Sequence, residues 1–190
     1  MNLKTTLRAL VSLSLAGALS VNALAAPKET PAPEVQAKVA LAVKAAFPDA
    51  VIKGDMATGK EDGLDVITVN FTANDVNVEG DVTPDGILVG TEEPGDIKTF
   101  PKLAAKALKK ATKGMKRSFE VARTFSKTEK DASGAVKAIK LATPTVAYEA
   151  DVEKNGQKGE FAFDADGKLL ESPKWAKAEA KEKGDKEDKD

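Results

Sequence analysis

Two segments of the chain repeat their apolar residues at steps of three and four, the spacing that places them on one face of an α-helix. The first segment ends at Phe47-Pro48-Asp49, because a proline disfavours helical geometry in the residue before it. In the second segment Pro101 suits a first helical turn and Gly114 suits a helix end. The predicted buried stripes are Val35, Val39, Ala42, Val43 and Ala46 in the first helix, and Phe100, Leu103, Ala104, Ala107, Leu108 and Ala111 in the second.

After each helical segment the apolar period changes from near four to two, which indicates half-buried antiparallel strands. Asn155-Gly156 separates two such runs and is a strong signal for a two-residue hairpin turn. The alternating apolar residues are Ile67, Val69, Phe71, Val76, Val78, Val82, Ile87 and Val89 before the second helix, and Phe119, Val121, Phe125, Val146, Tyr148, Ala150, Val152, Phe161 and Phe163 after it.

The two halves also share a closing turn, with Asp-Gly between a strand and a short apolar run at 83–88 and again at 164–169. We therefore predict an α+β fold made of two tandem helix-then-antiparallel-sheet repeats, with the helices packed on one face of the sheet or sheets. The second half is longer, and the extra residues, Lys127 to Thr143, form either a long hairpin loop or an extended pair of strands. The alternative is one irregular α+β domain whose halves are alike by chance.

The helix end Ala45–Ala50 (AAFPDA) and the closing turn Phe163–Glu171 (FDADGKLLE) resemble the PepSY-like domains of exported bacterial proteins. These domains have a fold like that of the secreted β-lactamase inhibitor proteins, here called BLIP-like. The resemblance covers residues 34–171 as two copies. It implies a non-catalytic periplasmic or secreted module for which protein binding or peptidase inhibition has been proposed. No inhibitory motif is carried over to individual residues.

Both ends of the chain differ in composition from the part between them. Residues 1–26 have Lys4 and Arg8, a short apolar core and a small-residue cleavage site, which indicates a signal peptide. We expect a linker at 27–33, repeats at 34–93 and 96–172, and a disordered charged tail at 177–190. The mature protein should be soluble in the periplasm or outside the cell, with no integral membrane segment.

Composition narrows the chemistry that the chain can perform. It contains no Cys and no His, so Ser-His-Asp and Cys-His catalysis and the usual zinc, copper and iron sites are excluded. With 29 Lys and Arg against 30 Asp and Glu, general nucleic-acid binding is not expected either. We predict that the protein is not an enzyme and holds no cofactor.

Asp164 and Asp166 are the best metal-ligand candidates, because a hard cation with oxygen ligands is the one class left open. Gly167 follows the second Asp directly and Glu171 comes too early for an EF-hand loop. A tight turn is the preferred interpretation, in which Gly167 supplies a positive φ and an Asp side chain accepts local hydrogen bonds.

The second helical segment is strongly basic, with no acidic residue between 100 and 117. A solvated helix face is the preferred interpretation, but the same face could attract an acidic partner. The candidate binding residues are Lys102, Lys106, Lys109, Lys110 and Lys113. Trp175, the single tryptophan, either anchors a partner or folds back to seal the core.

The sequence therefore predicts a non-catalytic exported module that binds another exported or envelope protein through a sheet face and loops. The alternative is a peripheral envelope or polyanion-binding protein that uses the basic helix at 100–117.

Overall fold

The structure is a computed structural model that describes residues 29–177. The predicted signal peptide at 1–26 and all of the predicted tail beyond residue 177 lie outside these residues. Within 29–177, no helix combines the length and the apolar character that crossing a bilayer requires.

The described part of the chain forms two helices and nine strands. The helices are α1, Pro33–Ala46, and α2, Lys102–Ala111. The strands are β1 Val51–Glu61, β2 Leu64–Ala73, β3 Val76–Val82, β4 Leu88–Pro94, β5 Lys116–Lys130, β6 Val136–Lys154, β7 Gln157–Phe163, β8 Leu169–Glu171 and β9 Ala176–Lys177. The first helix ends where Phe47-Pro48 predicts.

The predicted fold class of two tandem helix-then-sheet repeats is wrong. Residues 29–177 are sheet-dominated, with 54% strand and 16% helix. Strands β1 to β8 follow one another in a single antiparallel sheet in sequence order, and β9 pairs with β7. Strands β4 and β5 come from different predicted repeats, yet they are hydrogen-bonded neighbours from Gly90–Thr124 to Pro94–Glu120. Strands from both predicted halves therefore belong to one sheet.

The main core lies on the sheet face that both helices contact. Val39 and Val43 of α1 pack among buried residues of β2 and β3 such as Phe71. Leu108 of α2 packs among residues of β6 and β7 such as Val152. Phe47 joins the first cluster to β5, since its ring centroid lies 5.2 Å from Phe71 and 5.9 Å from Phe125 of β5. Alternating apolar strand residues therefore form the core beneath each helix.

The predicted insertion at Lys127–Thr143 is an extended pair of strands, with β5 and β6 paired from Ser126–Lys140 to Lys130–Val136. We call this strand pair, residues 126–140, the arm. Its Val136 and Ala138 pack against Leu64 and Val66 of β2 in a separate apolar cluster. The register shifts between Thr124 and Ser126, where the arm begins. The arm thereby covers one end of the sheet face that faces away from the helices.

Three loops share one hydrogen-bonding pattern, in residues 83–87, 131–135 and 164–168. In each, the first residue donates its backbone N–H to the carbonyl of the fifth, and the fourth, a glycine, donates its N–H to the carbonyl of the first. The side chain of the first residue accepts the N–H of the fifth. All three glycines have positive φ, which a residue without Cβ adopts at little cost. The Asn155-Gly156 hairpin is also confirmed, with φ values of 54° and 72° between β6 and β7.

Candidate functional site

The basic helix face lies on the surface as a row of unpaired lysines. Lys102, Lys106, Lys109 and Lys110 are exposed on α2, whereas Lys113 lies beyond its end at Ala111. No described ion pair holds any of these five lysines. The prediction that Leu103 is buried is wrong, since it is 54% exposed. The buried positions are Ala104, Ala105 and Leu108, because small alanines let the helix approach the sheet closely.

Asp164 and Asp166, the weak metal candidates, form a turn. Asp164 Oδ1 accepts hydrogen bonds from the backbone N–H of Asp166 at 3.0 Å and of Lys168 at 2.9 Å. Gly167 lies against α2, with the Leu103 carbonyl oxygen only 2.8 Å from the position that a Cβ would occupy. Within residues 29–177 no group of three or more acidic side chains is arranged to hold a metal ion. The loop supports the helix and offers no open ligand set.

The helix-free face of the sheet carries a cluster of acidic side chains that we call the acidic patch. Strand alternation points these side chains away from the helices, because core residues such as Val78, Ala150 and Val152 lie next to them in sequence and point to the helix side. The pairing places Glu79 opposite Glu92, Glu120 opposite Glu149, and Asp151 opposite Glu160. The acidic patch consists of these six residues: Glu79, Glu92, Glu120, Glu149, Asp151 and Glu160.

Each of these pairs sets two carboxyl groups side by side across neighbouring strands. Directly opposed side chains in antiparallel strands have Cβ atoms about 5 Å apart, and like charges there are destabilising. Three such pairs on one face, spread from β3 to β7, have no evident benefit for the fold. Residues that lower stability and cluster on one surface are candidates for function.

Glu149 lies at the centre of the acidic patch and is only 3% exposed. Its other cross-strand neighbour is Ala162, and the buried alanines 122, 147 and 162 form a small cluster on the same face. No described hydrogen bond or ion pair is made by its carboxyl group. A buried carboxyl group without a partner is costly when charged, so it holds its proton strongly.

The electrostatics of the acidic patch follow from this burial. Burial, followed by repulsion from Glu160, Glu92, Glu120 and Asp151, raises the pKa of Glu149 to about 9. Burial is also the main cause that raises the pKa of Glu92 to about 8 and that of Glu160 to about 7. The pKa values of Glu120 and Asp151 are raised as well, again mainly by burial. At neutral pH several of these groups therefore carry protons.

A groove of about 760 Å³ runs over the acidic patch. Glu79, Glu92, Glu120, Asp151 and Glu160 line it. Lys116 and Lys174 also line it, and each of the two is more than 80% exposed. These two lysines pair with Glu153 at 3.5 Å and with Glu171 at 3.6 Å. These two lysines thus engage acids near the margin. Lys158 also lines the groove and acts on Asp151, whereas Glu92, Glu120 and Glu160 lie outside every described ion pair.

A second acidic pair, Glu61 and Asp81, lies near the arm on the same face of the sheet. Burial, then the charge and hydrogen bond of Asp81, raises the pKa of Glu61 to about 8. Thr68 Oγ1 donates a hydrogen bond of 2.7 Å to Asp81 Oδ1. Glu61 Oε2 is buried and has no hydrogen-bond partner among the described residues. Unlike five of the six residues of the acidic patch, this pair does not line the groove.

Sequence reasoning did not find the acidic patch. The available signal was the alternation itself, in which Glu120 lies between Phe119 and Val121, and Glu149 lies between Tyr148 and Ala150. That pattern assigns each acid to the face opposite the core, but it does not say which strands are neighbours. The acids become a patch only through the strand order of the sheet.

Comparison with solved structures relates the chain to a BLIP-like protein from Bacteroides fragilis, with a TM-score of 0.53 and 14% identity over 82% of this chain and 93% of that one. Two DUF2874 family proteins are also similar. The one from Bacteroides uniformis has a TM-score of 0.49 and 14% identity, covering 74% of this chain and 87% of its own. The one from Bacteroides ovatus has a TM-score of 0.48 and 18% identity, covering 75% of this chain and 86% of its own.

At such identities the similarity describes the fold alone. The chain has a BLIP-like fold, as the sequence resemblance implies. The PepSY-like part of that resemblance remains a prediction, and two tandem copies are not confirmed. No protein-family model matches the sequence, and no curated protein matches it.

Proposed function

We propose that the protein is a non-catalytic, exported module that binds another protein through the helix-free face of its sheet. The observation that carries this proposal is the groove of about 760 Å³ over the acidic patch. A continuous, concave surface on a rigid sheet can hold a segment of a partner with little ordering cost. The carboxyl groups in it weaken the isolated fold, as expected for a surface kept for binding.

The remaining parts of the proposal rest on the sequence and the fold. Export is inferred from residues 1–26, which have the composition of a signal peptide. The absence of His and Cys from the whole chain removes the commonest nucleophile–base pairs, which supports a non-catalytic role. A BLIP-like fold is compatible with protein binding, and peptidase inhibition is the narrower possibility within that class.

Site-specific photo-crosslinking in the cell that produces the protein tests this function. A photoreactive amino acid at Ser118, which is exposed and lines the groove, reports on the helix-free face. The same amino acid at Lys109, exposed on α2, is the matched control on the helix side. We expect a discrete protein adduct from position 118 and none from position 109. Adducts from 109 alone, or none from either position, would contradict the proposal.

The second candidate function is a peripheral envelope or polyanion-binding protein that uses the basic helix face. Its specific support is that all five lysines, from Lys102 to Lys113, are exposed and outside every described ion pair. Co-sedimentation with anionic liposomes should separate the wild type from the Lys106→Glu/Lys110→Glu variant. Equal sedimentation of the two proteins would exclude this function.

A further inference from the structure

We infer that the partner segment held by the acidic patch is basic and extended, with several Lys or Arg side chains. This inference rests on the proposed function and adds the chemistry of the partner. The central observation is that Glu92, Glu120 and Glu160 line the groove around Glu149, a residue that is 97% buried and has no described hydrogen bond. Partly desolvated carboxyl groups of this kind gain most from a cation that is brought close to them.

The breadth of the acidic patch indicates an extended ligand and not a single ion. From β3 to β7 there are four steps between neighbouring strands of about 4.8 Å each, or roughly 19 Å. Carboxylate oxygens around one calcium ion all lie about 2.3–2.6 Å from the metal. The three acidic pairs are therefore spread too widely to share an ion. A peptide with side chains about 7 Å apart at alternate positions can reach several of them at once.

The charged residues around the acidic patch indicate the sign of the charge that a ligand should carry. Glu149 faces Glu92 from β4, Glu120 from β5, Asp151 from its own strand and Glu160 from β7. Lys158 is the basic group that acts on Asp151 from β7. Lys116 and Lys174 already pair with acids at the margin. An acidic or neutral segment would leave the central carboxyl groups uncompensated, whereas ammonium or guanidinium groups would pair with them.

A basic ligand must also displace protons from the patch. The carboxyl groups with pKa values of about 9 and 8, Glu149 and Glu92, hold protons at pH 7 in the free protein. A guanidinium placed beside them lowers their pKa and favours the charged form. Binding near pH 7 should therefore release protons to the buffer. A peptide that touched only surface acids elsewhere would release almost none.

Calorimetry with a capped hexa-arginine peptide tests the inference. The titration is run at pH 7 in two buffers with different ionisation enthalpies, so that the difference in heat counts the protons released. The test variant, Glu120→Gln/Glu160→Gln, removes two carboxylates from the groove. The control variant, Asp65→Asn/Glu129→Gln, removes the same number of carboxyl groups from exposed positions outside the groove.

We expect the wild type and the control variant to bind the peptide with proton release. The affinity of the test variant for the peptide should be lower by at least about tenfold. Equal weakening of both variants would overturn the inference, because it would show general attraction to negative charge. Equal binding of capped hexa-glutamate, or no heat with hexa-arginine, would overturn it too. The inference would also be overturned if the protein formed concentration-dependent dimers at low salt through the basic helix of a second copy, and if the test variant did not form them. The occupant of the acidic patch would then be a helix and not an extended segment.

The inference and the proposed function can fail separately. If position 118 captures a partner equally well in the wild type and in the Glu120→Gln/Glu160→Gln background, the face binds proteins and the basic-segment inference is wrong. If hexa-arginine binds as expected but position 118 captures nothing in the cell, the proposed function is wrong, and the chemistry of the acidic patch stands.

Discussion

Glu120 on β5 lies directly opposite Glu149 on β6, on the sheet face that carries no helix. Two carboxyl groups in this relationship repel each other when both are charged. Burial makes the repulsion stronger, because Glu149 is 3% exposed and water cannot screen it. Glu149 escapes this repulsion by keeping its proton, since burial and the neighbouring acids raise its pKa to about 9.

Replacing Glu149 with Gln should stabilise the protein above neutral pH. Glutamine keeps the shape of the side chain but does not titrate, so it removes the free-energy cost of taking up a proton on folding at a pH far above the unfolded pKa. At pH 8.5 we expect a gain of roughly 1–2 kcal/mol in the free energy of unfolding. Urea denaturation monitored by circular dichroism measures it. The matched control is Glu153→Gln, which changes a margin acid paired with Lys116 and should give no gain.

Stability of the wild type should fall as pH rises from about 5 to 9. A carboxyl group whose pKa is raised on folding binds its proton more tightly in the folded state. Its stabilising contribution is therefore complete below the unfolded pKa of 4.5 and is lost as pH rises through the folded values of about 7, 8 and 9 for Glu160, Glu92 and Glu149. Each group can contribute up to about 1.4 kcal/mol per pH unit in this window.

Denaturation at constant ionic strength at pH 6 and pH 9 measures this slope. The Glu92→Gln/Glu149→Gln variant should have a flatter profile, because two of the responsible groups no longer titrate. Asp131 does not affect this window, since its hydrogen bonds to Ser133 and Lys137 lower its pKa to about 2. A wild type that is equally stable at both pH values would show that these carboxyl groups keep ordinary pKa values in the folded protein.

The loop glycines at 134 and 167 should respond differently to the same substitution. Both have positive φ, 86° and 76°, so Gly→Ala costs about 1 kcal/mol of backbone strain at either position. Nothing lies within 4 Å of a Cβ at Gly134, whereas a Cβ at Gly167 would meet the Leu103 carbonyl oxygen at 2.8 Å. Gly167→Ala should therefore lower the melting temperature further than Gly134→Ala, by several degrees.

Thermal melts of the two variants side by side provide the measurement. Since the loops share one hydrogen-bonding pattern, the difference between the variants isolates the contact between loop 164–168 and α2. Equal melting temperatures would mean that the loop does not press against the helix at Leu103.

Local features of the fold could be predicted from the sequence because they depend on neighbours in the chain. Phe47-Pro48 ends α1, Asn155-Gly156 turns a hairpin, and the Asp164–Gly167 loop is a turn for reasons that lie within a few residues. The burial of Leu103 is predicted wrongly because its spacing from the other apolar residues is helical. The sheet instead contacts the side of the helix that carries Ala104 and Ala105.

The strand order could not be predicted in this way. Alternation shows that Glu120 and Glu149 lie opposite the core, but their pairing depends on the register of two strands separated by the whole arm. The same holds for β4 beside β5, whose pairing joins the halves into one sheet. Both the corrected fold class and the acidic patch follow from these long-range pairings.

The C-terminal segment should detach from the sheet when Gly159 is replaced with Ala. A Cβ at Gly159 would lie 2.6 Å from the Pro173 Cβ and 3.3 Å from the Trp175 ring, so residues 173–175 can cross β7 only where it has no side chain. Trp175 folds back over this glycine and remains 38% exposed. β9, which pairs with β7 at Gln157 and Lys158, would be displaced as well.

Because Trp175 is the single tryptophan, its fluorescence reports on this segment directly. We expect the Gly159→Ala variant to have emission shifted to the red and stronger quenching by acrylamide, with a small change in melting temperature. The matched control is Gly59→Ala, since a Cβ at Gly59 meets only Val66 Cγ2 at an ordinary 3.8 Å. Unchanged fluorescence in Gly159→Ala would show that Pro173 and Trp175 do not rest on β7.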